Sequence, residues 1–339
     1  MTNFLTIAFS CLIGFCMTAC GDDPSNNVQQ NPVQQPVSSG HPAIDGLTEK
    51  IASEPDNAAL YAARAGIWME IEGYDEAIVD LKQAIALDSL KPEYHHELAN
   101  LYMDYYKSRL AIQTMENAAV IFPKRIPTLL KLSEFQLILK QYDRALYALE
   151  RIRVIEPTNP EMFYMFGSVF EEMGRIPQAK TAYQNAVEQD PELVDAWVKL
   201  GQLLTIEKNP VAERYLDNAL RIAPDDIGAL HAKANYLSQV KDDLPGAIAN
   251  FKKINVVDPQ FEEGYYNLGL LYLDADSLDK AYQSFDLAIK IQPDYAESYF
   301  FRGMASKLKG DLAKAKNDFQ QALRLKPNYE YAQNELANM

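Results

Sequence analysis

A proline recurs at nearly constant intervals along most of this chain, and that recurrence limits the fold more than any other feature. Successive places in the series are 34 residues apart, with one step of 33 and one of 35. The series runs through Pro55, Ser89, Pro123, Pro157, Pro191, Pro224, Pro259, Pro293 and Pro327. A constant period of this length is typical of proteins that stack one small unit on the next. We therefore expect a continuous array of units, although the length alone would suggest about two ordinary domains.

Small residues recur in the same period. Twelve residues before each place from 89 onward stands an alanine, namely Ala77, Ala111, Ala145, Ala179, Ala212, Ala247, Ala281 and Ala315. A second small position comes earlier in each unit, at Ala65, Ala99, Ser133, Gly167, Gly201, Ala234, Gly269 and Gly303. Thirty-four residues are enough for two helices of three to four turns, and a proline ends the second helix. Small residues at fixed places indicate that helix backbones approach closely there.

Units such as "FYMFGSVFEEMGRIPQAKTAYQNAVEQDP" and "YYNLGLLYLDADSLDKAYQSFDLAIKIQP" resemble tetratricopeptide repeats. The resemblance covers residues 58–329 in eight units: 58–91, 92–125, 126–159, 160–193, 194–226, 227–261, 262–295 and 296–329. It implies an all-α fold, a right-handed α-solenoid of about eight helix-turn-helix repeats. Residues 42–54 resemble the second helix of a half unit, and we assign 46–57 to this N-terminal half-repeat helix. We expect residues 330–339 to form a C-terminal capping helix. Unit five is one residue short and unit six one residue long, and both changes are expected between helices.

The N-terminus carries the pattern of an export signal. Residues 4–19 are apolar, contain no charged side chain and end in the small residues Thr18 and Ala19, which favours a signal peptide over a membrane span. The stretch "MTAC" resembles a bacterial lipoprotein signal, which implies removal of residues 1–19 and lipid attachment at Cys20. The first residues, "MTN", lack the usual Lys or Arg, so a wrongly chosen start codon and an uncleaved anchor are the alternatives. Residues 20–45, rich in Asn, Gln, Pro and Ser, are expected to be a disordered tether.

A lipid anchor at Cys20 would place the protein in the bacterial cell envelope as an outer membrane lipoprotein. The acidic pair Asp22-Asp23 resembles the export tag of surface-exposed lipoproteins in Bacteroidota. The alternative is an ordinary polar tether that faces the periplasm. The sequence thus predicts a membrane association through lipid and leaves the membrane face open.

Charge and motifs exclude several classes of function. Thirty-two Lys and Arg oppose 47 Asp and Glu, so the formal net charge is −15, and nucleic acid is an unfavourable partner. No phosphate-binding glycine loop or serine elbow occurs in the sequence. The stretch "HELAN" at 96–100 has Asn100 where the HExxH zinc motif has its second histidine. We therefore expect no catalytic residues, no metal site and no cofactor.

The family resemblance implies a concave groove lined by the first helix of each pair. Nine residues at groove positions are the predicted partner-binding residues: His96, Asn100, Tyr164, His231, Asn235, Tyr266, Leu270, Phe300 and Met304. In the family's clamp for a terminal carboxylate, the fifth position of a unit is Lys and the ninth is Asn. Asn100 and Asn235 match the ninth position here, but His96 and His231 replace the lysine, so only a weak, pH-sensitive clamp is implied.

The C-terminal cluster of Tyr266, Leu270, Phe300 and Met304 is a more specific candidate for a binding site than the carboxylate clamp. Exposed aromatic and methionine side chains are costly unless a partner covers them. The alternative is that the terminal helix, with Tyr331 and Leu336, folds over this cluster.

The residues together favour a non-enzymatic protein-protein interaction scaffold of the bacterial envelope. Its partner would be a protein or peptide, held as an extended segment or helix in the groove. The alternative function is a surface lipoprotein that captures glycan or another small ligand, which aromatic platforms at one rim would favour.

Overall fold

The computed structural model describes residues 39–339, so Cys20, the signal 1–19 and most of the tether lie outside the described residues. Within this range the fold is all-α, an α-solenoid of eighteen helices without a β-strand. The helices are α1 (Pro42–Ser53), α2 (Ala58–Glu70), α3 (Tyr74–Leu87), α4 (Pro92–Asp104), α5 (Ser108–Ile121), α6 (Ile126–Ile138), α7 (Tyr142–Ile155), α8 (Pro160–Glu172), α9 (Ile176–Gln189), α10 (Val194–Ile206), α11 (Ala212–Ile222), α12 (Ile227–Gln239), α13 (Leu244–Val257), α14 (Glu262–Asp274), α15 (Leu278–Ile291), α16 (Ala296–Leu308), α17 (Leu312–Leu325) and α18 (Glu330–Ala337).

Each 34-residue unit contains one pair of helices joined by a tight turn. The turn holds one residue with positive φ, between 49° and 85°, at Glu72, Tyr106, Lys140, Gly174, Lys208, Asp242, Asp276 and Gly310. Only two of these eight residues are glycine, and a left-handed conformation costs other residues roughly 1–2 kcal/mol. Packing of the two helices on each other therefore imposes the turn in the other six units.

The irregular units keep this spacing of turns. Lys208 and Asp242 are 34 residues apart like the others, although they belong to the short and the long unit. The missing residue shortens α11, which has 11 residues where each of the other second helices has 14. The extra residue follows α12, in the turn before α13. Both changes lie next to connections, where they do not disturb the helix crossings.

Small residues allow the two helices of a unit to touch. A Cβ built on Gly167, Gly269 or Gly303 would lie 2.4–2.9 Å from ring atoms of Tyr183, Phe285 and Phe319 respectively. The ring from the second helix thus occupies the space of the missing side chain on the first helix. The alanines at the conserved spacing, such as Ala281, are fully buried. These crossings form the core of the solenoid.

The N-terminal helix spans Pro42–Ser53, which agrees with the resemblance of residues 42–54 to a second helix. It begins and ends earlier than the assigned bounds 46–57, so the tether cannot extend to residue 45 as a disordered segment. Pro42 at the first helical turn has a φ already suited to a helix. Pro55 excludes its preceding residue from the helical region, which ends the helix early. The terminal helix Glu330–Ala337 lies inside the predicted range 330–339.

α1 occupies the place of a second helix. The Arg64 guanidinium donates to both carboxylate oxygens of the buried Asp80 at 2.7 Å and to Thr48 Oγ1 of α1 at 2.9 Å. Arg302 in the last unit likewise donates to both oxygens of Asp318, and also to Asp286 of the preceding second helix. Thr48 accepts from Arg64 as Asp286 of a second helix accepts from Arg302, so α1 takes the position of a second helix before the first full unit.

The first helices form the inner layer of the array. Successive first helices such as α10 and α12, or α6 and α8, pack on each other, and second helices of successive units make fewer contacts. A stack with its first helices closer together curves toward them, so they line the concave surface. Among the described residues, none of the helices has the length and apolar character that crossing a membrane requires.

We predict that Gly269→Ala destabilises the fold by about 1 to 3 kcal/mol, because the added methyl group meets the buried Phe285 ring. Gly66→Ala is the matched control, since a Cβ there has no atom within 4 Å. It should stabilise the protein by about 0.5–1 kcal/mol through helix propensity. Urea unfolding followed by circular dichroism measures both, and equal midpoints for the two variants would contradict the crossing geometry.

Candidate functional site

All nine predicted groove residues lie on first helices, in α4, α8, α12, α14 and α16. Eight of them are half-buried, whereas Phe300 is only 7% exposed. The structure therefore places eight of these side chains at the surface of the inner layer and one in the core. They form a row along the array and do not converge on one cavity.

The N-terminal part of the groove holds a neutral histidine. The His96 Nε2 atom lies 3.0 Å from Thr128 Oγ1 on the next first helix. Burial, and then the nearby Arg125 guanidinium, lower the pKa of His96. The imidazole is uncharged near neutral pH, because its pKa lies below the ordinary value of 6.5. It does not supply the positive charge that a clamp for a terminal carboxylate requires.

The middle of the groove contains a hydrogen-bonded network that the sequence analysis missed. The Tyr183 hydroxyl donates to Glu171 Oε2 at 2.6 Å and lies 3.3 Å from Ser168 Oγ. Lys199 Nζ donates to the other Glu171 oxygen at 3.3 Å. Tyr183 comes from a second helix and reaches this surface past Gly167, so the absent side chain at 167 was the available signal. Burial raises the pKa of Tyr183, which keeps its hydroxyl a donor.

A second polar cluster surrounds His231. Its Nδ1 atom is 3.3 Å from the Asn235 side-chain nitrogen, and its Nε2 atom is 3.3 Å from that of Asn267. Glu263 Oε1 lies 3.9 Å from the same Nε2 atom. Burial lowers the pKa of His231 although Glu263 opposes the shift, so the ring is neutral near neutral pH. Like His96, it offers hydrogen bonds rather than charge.

The prediction that Phe300 is an exposed groove residue is wrong. Its ring centroid is 5.6 Å from that of Phe319, 5.2 Å from Tyr329 and 6.2 Å from Tyr331. Leu336 and Met304 pack against the same cluster. α18 and the residue before it cover the apolar face of unit eight. The alternative reading, in which the terminal helix covers the cluster, therefore describes Phe300.

Tyr266 differs from Phe300 because it stays half-buried at the surface. Its ring centroid is 5.0 Å from Tyr295 and 5.9 Å from both Phe285 and Phe301. Leu270, one turn further along α14, is also half-buried. Tyr266 and Leu270 thus form the accessible apolar part of the C-terminal groove.

The described residues contain no cluster of side chains suited to bind a metal ion. Across residues 39–339, no group of three or more His, Cys, Asp or Glu side chains is arranged to hold an ion. His96 instead contacts Thr128, and Asn100 lies one turn away on α4. The "HELAN" stretch therefore contributes groove and core residues.

We predict that Phe300→Ala lowers the free energy of unfolding by about 3 kcal/mol, because it opens a cavity under the terminal helix. Tyr331→Ala, at a side chain that is 70% exposed, should cost less than about 1 kcal/mol. Thermal melting by circular dichroism compares the two, and limited proteolysis should release α18 first from the Phe300 variant. A Phe300→Ala protein that melts like the unchanged chain would show that α18 does not stabilise this face.

Comparison with known proteins agrees with this architecture. Family models described as tetratricopeptide repeat match residues 164–227, 262–295 and 296–329. The last two matches have the bounds of units seven and eight. The fold is similar to a solved structure of the APC/C hetero-tetramer Cut9-Hcn1, with a TM-score of 0.58 and 16% identity, over 87% of this chain and 58% of that one.

Curated relatives share only part of their length with this chain. The mouse (Mus musculus) protein O-mannosyl-transferase TMTC1 is 30% identical over 91 residues, which are 25% of this chain and 10% of that protein. The human (Homo sapiens) DnaJ homolog subfamily C member 7 is 25% identical over 262 residues, which are 70% of this chain and 49% of that protein. This chain thus spans less than half of either relative. The matched repeats, the helix pairs and their fixed crossings together show that the chain is a tetratricopeptide repeat protein.

Proposed function

We propose that this protein is a non-enzymatic scaffold that binds a peptide or helix of a partner protein along the concave surface of its solenoid. The tetratricopeptide fold supports a role in protein interaction. The observation that carries the proposal is the row of half-buried first-helix side chains, which remain partly accessible along the inner surface. Such a row offers a long, shallow surface suited to a polypeptide.

The composition of the row supports a partner with both polar and apolar side chains. Its middle presents the Tyr183–Glu171–Lys199 network and the His231 cluster, whose donors and acceptors are already held in place. Its C-terminal part adds Tyr266 and Leu270. A rigid surface loses little conformational entropy on binding, so more of the free energy of its contacts contributes to affinity.

The peptide mode is favoured over capture of a glycan. A sugar ring stacks on the whole open face of an aromatic ring. The half-buried Tyr266 ring is packed against Tyr295, Phe285 and Phe301, so only part of its surface is accessible. The similarity to TMTC1 covers only 10% of that transferase, so it gives no support for glycosyl transfer by this chain.

We further propose an envelope location with a lipid on Cys20. The support is the sequence alone: the uncharged apolar run that ends at Ala19, and the polar tether that follows Cys20. A lipid anchor and a tether would present the groove to partners near a bacterial outer membrane, at its periplasmic or its outer face. Several acyl chains make such an anchor durable, because each buried CH₂ adds roughly 0.8 kcal/mol.

A photo-crosslinking amino acid placed at Gln202 should capture the partner in cells, because this half-buried residue lies at the middle of the inner layer. The matched control is Val256 on the second helix α13, a side chain that is 79% exposed. Mass spectrometry of the adducts identifies the captured protein. Adducts from Val256 and none from Gln202 would move the interaction away from the first-helix surface and reject the proposed groove.

Cys20→Ser should abolish metabolic labelling with a fatty-acid analogue and release the protein from the membrane fraction. Cys16→Ser, four residues earlier, is the control and should leave both unchanged, since it lies in the segment expected to be removed. Undiminished acyl labelling of the Cys20→Ser protein would refute the lipid anchor.

A further inference from the structure

In unit two, Glu93 in the first turn of the first helix pairs with Arg125, which comes 32 residues later, just before the next first helix. The distance between Oε1 and Nη2 is 3.0 Å. Glu263 and Glu297 occupy the same place in the last two units, but the residues 32 positions later are Tyr295 and Tyr329. At the C-terminal end of the array, an aromatic ring therefore stands where unit two has a cation.

The last of these Glu–Tyr pairs holds a lysine from its own chain. Lys326 Nζ lies 2.7 Å from Glu297 Oε1 and 4.9 Å from the centroid of the Tyr329 ring. The carboxylate supplies the opposite charge and the ring supplies a cation–π contact. Lys326 comes from the residue directly before Pro327. Glu297 and Tyr329 thus show how this repeat recognises a lysine side chain.

The preceding pair, Glu263 and Tyr295, has no such lysine. The residue that corresponds to Lys326 is Gln292, directly before Pro293. The Glu263 side chain is 50% exposed, and within 4.0 Å its basic contact among the described residues is His231. Because burial lowers the pKa of His231, that ring does not neutralise the Glu263 carboxylate near neutral pH.

Two aromatic rings accompany the Glu263 carboxylate. The Tyr266 and Tyr295 centroids are 5.0 Å apart, and Tyr266 lies on the same turn of α14 as Glu263. Burial, together with nearby carboxylates that include Glu263, raises the pKa of both hydroxyls, that of Tyr295 to about 12. The rings and the charge are therefore close enough to act on one bound group.

We propose that Glu263, Tyr266 and Tyr295 bind a lysine side chain of the partner polypeptide. This inference rests on the proposed groove function and names the chemistry recognised at its C-terminal end. Residues 1–38 of the chain contain no Lys or Arg, so that segment cannot supply the lysine. A helix N-terminus carries roughly half a positive charge and disfavours a cation. Lys326 is nevertheless held beside the first turn of α16, so the carboxylate outweighs that effect.

The test begins with random linear peptides displayed on phage and selected on the full chain. We expect lysine to be enriched among the selected peptides, and one of them, labelled with a fluorophore, serves as the probe for anisotropy titrations. Gln292→Lys places a lysine of the same chain beside Glu263 and Tyr295, at the position equivalent to Lys326, which contacts Glu297 and Tyr329. It should weaken binding of the probe about tenfold, because one ion pair and one cation–π contact are pre-empted.

Glu263→Gln should weaken the same probe by a similar factor. Glu161→Gln is the matched control, because Glu161 is exposed at the same position of unit four and its loss changes the net charge equally. It should leave the dissociation constant within about twofold, since a distant surface charge acts only through a screened field. Acetylating the probe's lysine should reproduce the loss, after which Gln292→Lys has no added effect. Circular dichroism melting checks that each variant is folded.

Two results would overturn the inference. Peptides that bind the groove with no lysine preference, and equally to the Gln292→Lys protein, would leave the proposed function standing without the lysine site. Selected peptides whose binding is unaffected by changes at Gln202, Tyr266 and Leu270 would remove the groove and the lysine site together.

Discussion

The contact between a small residue on one helix and a ring on its partner is the constraint on which the rest of the structure depends. Gly167, Gly269 and Gly303 let Tyr183, Phe285 and Phe319 lie directly against the first-helix backbone. That distance sets the angle within each helix pair, and the pair is then repeated along the chain. A left-handed turn residue is imposed on six non-glycine side chains by this packing. The crossing is therefore strong enough to override the local preference of the turn.

The same crossing decides what the groove displays. Since the second helices pack from outside, the first helices alone form the inner layer and present their unused side chains there. Tyr183 is the exception, because the gap at Gly167 lets its hydroxyl reach Glu171 on that surface. The groove thus contains donors and acceptors from both layers. Its two histidines, His96 and His231, are neutral near neutral pH because burial lowers their pKa values, so the groove lacks the positive charge that a terminal carboxylate requires.

Charged side chains occupy equivalent positions in some repeats, and uncharged side chains replace them in others. Arg64 and Arg302 hold buried aspartates at both ends, so the first and last full units have the same internal support. The position just before a first helix is occupied by a different residue in different units. Arg125 pairs with Glu93, the Tyr295 ring contacts Tyr266, and the Tyr329 ring contacts Lys326. A repeat fold can therefore change its recognition chemistry at one unit without changing the backbone.

The sequence by itself determined the repeat, the all-α class and the helix pairs, because proline spacing and small residues act locally and recur without change. It also placed all nine candidate residues on first helices. Only the tertiary structure decided which of them are accessible: Phe300 is covered by Tyr329 and Tyr331, because the residues that follow unit eight pack on its apolar face. The role of Tyr183 and the surroundings of Glu263 depended on neighbours that are 12 or more residues away, and a local pattern carries no record of such contacts.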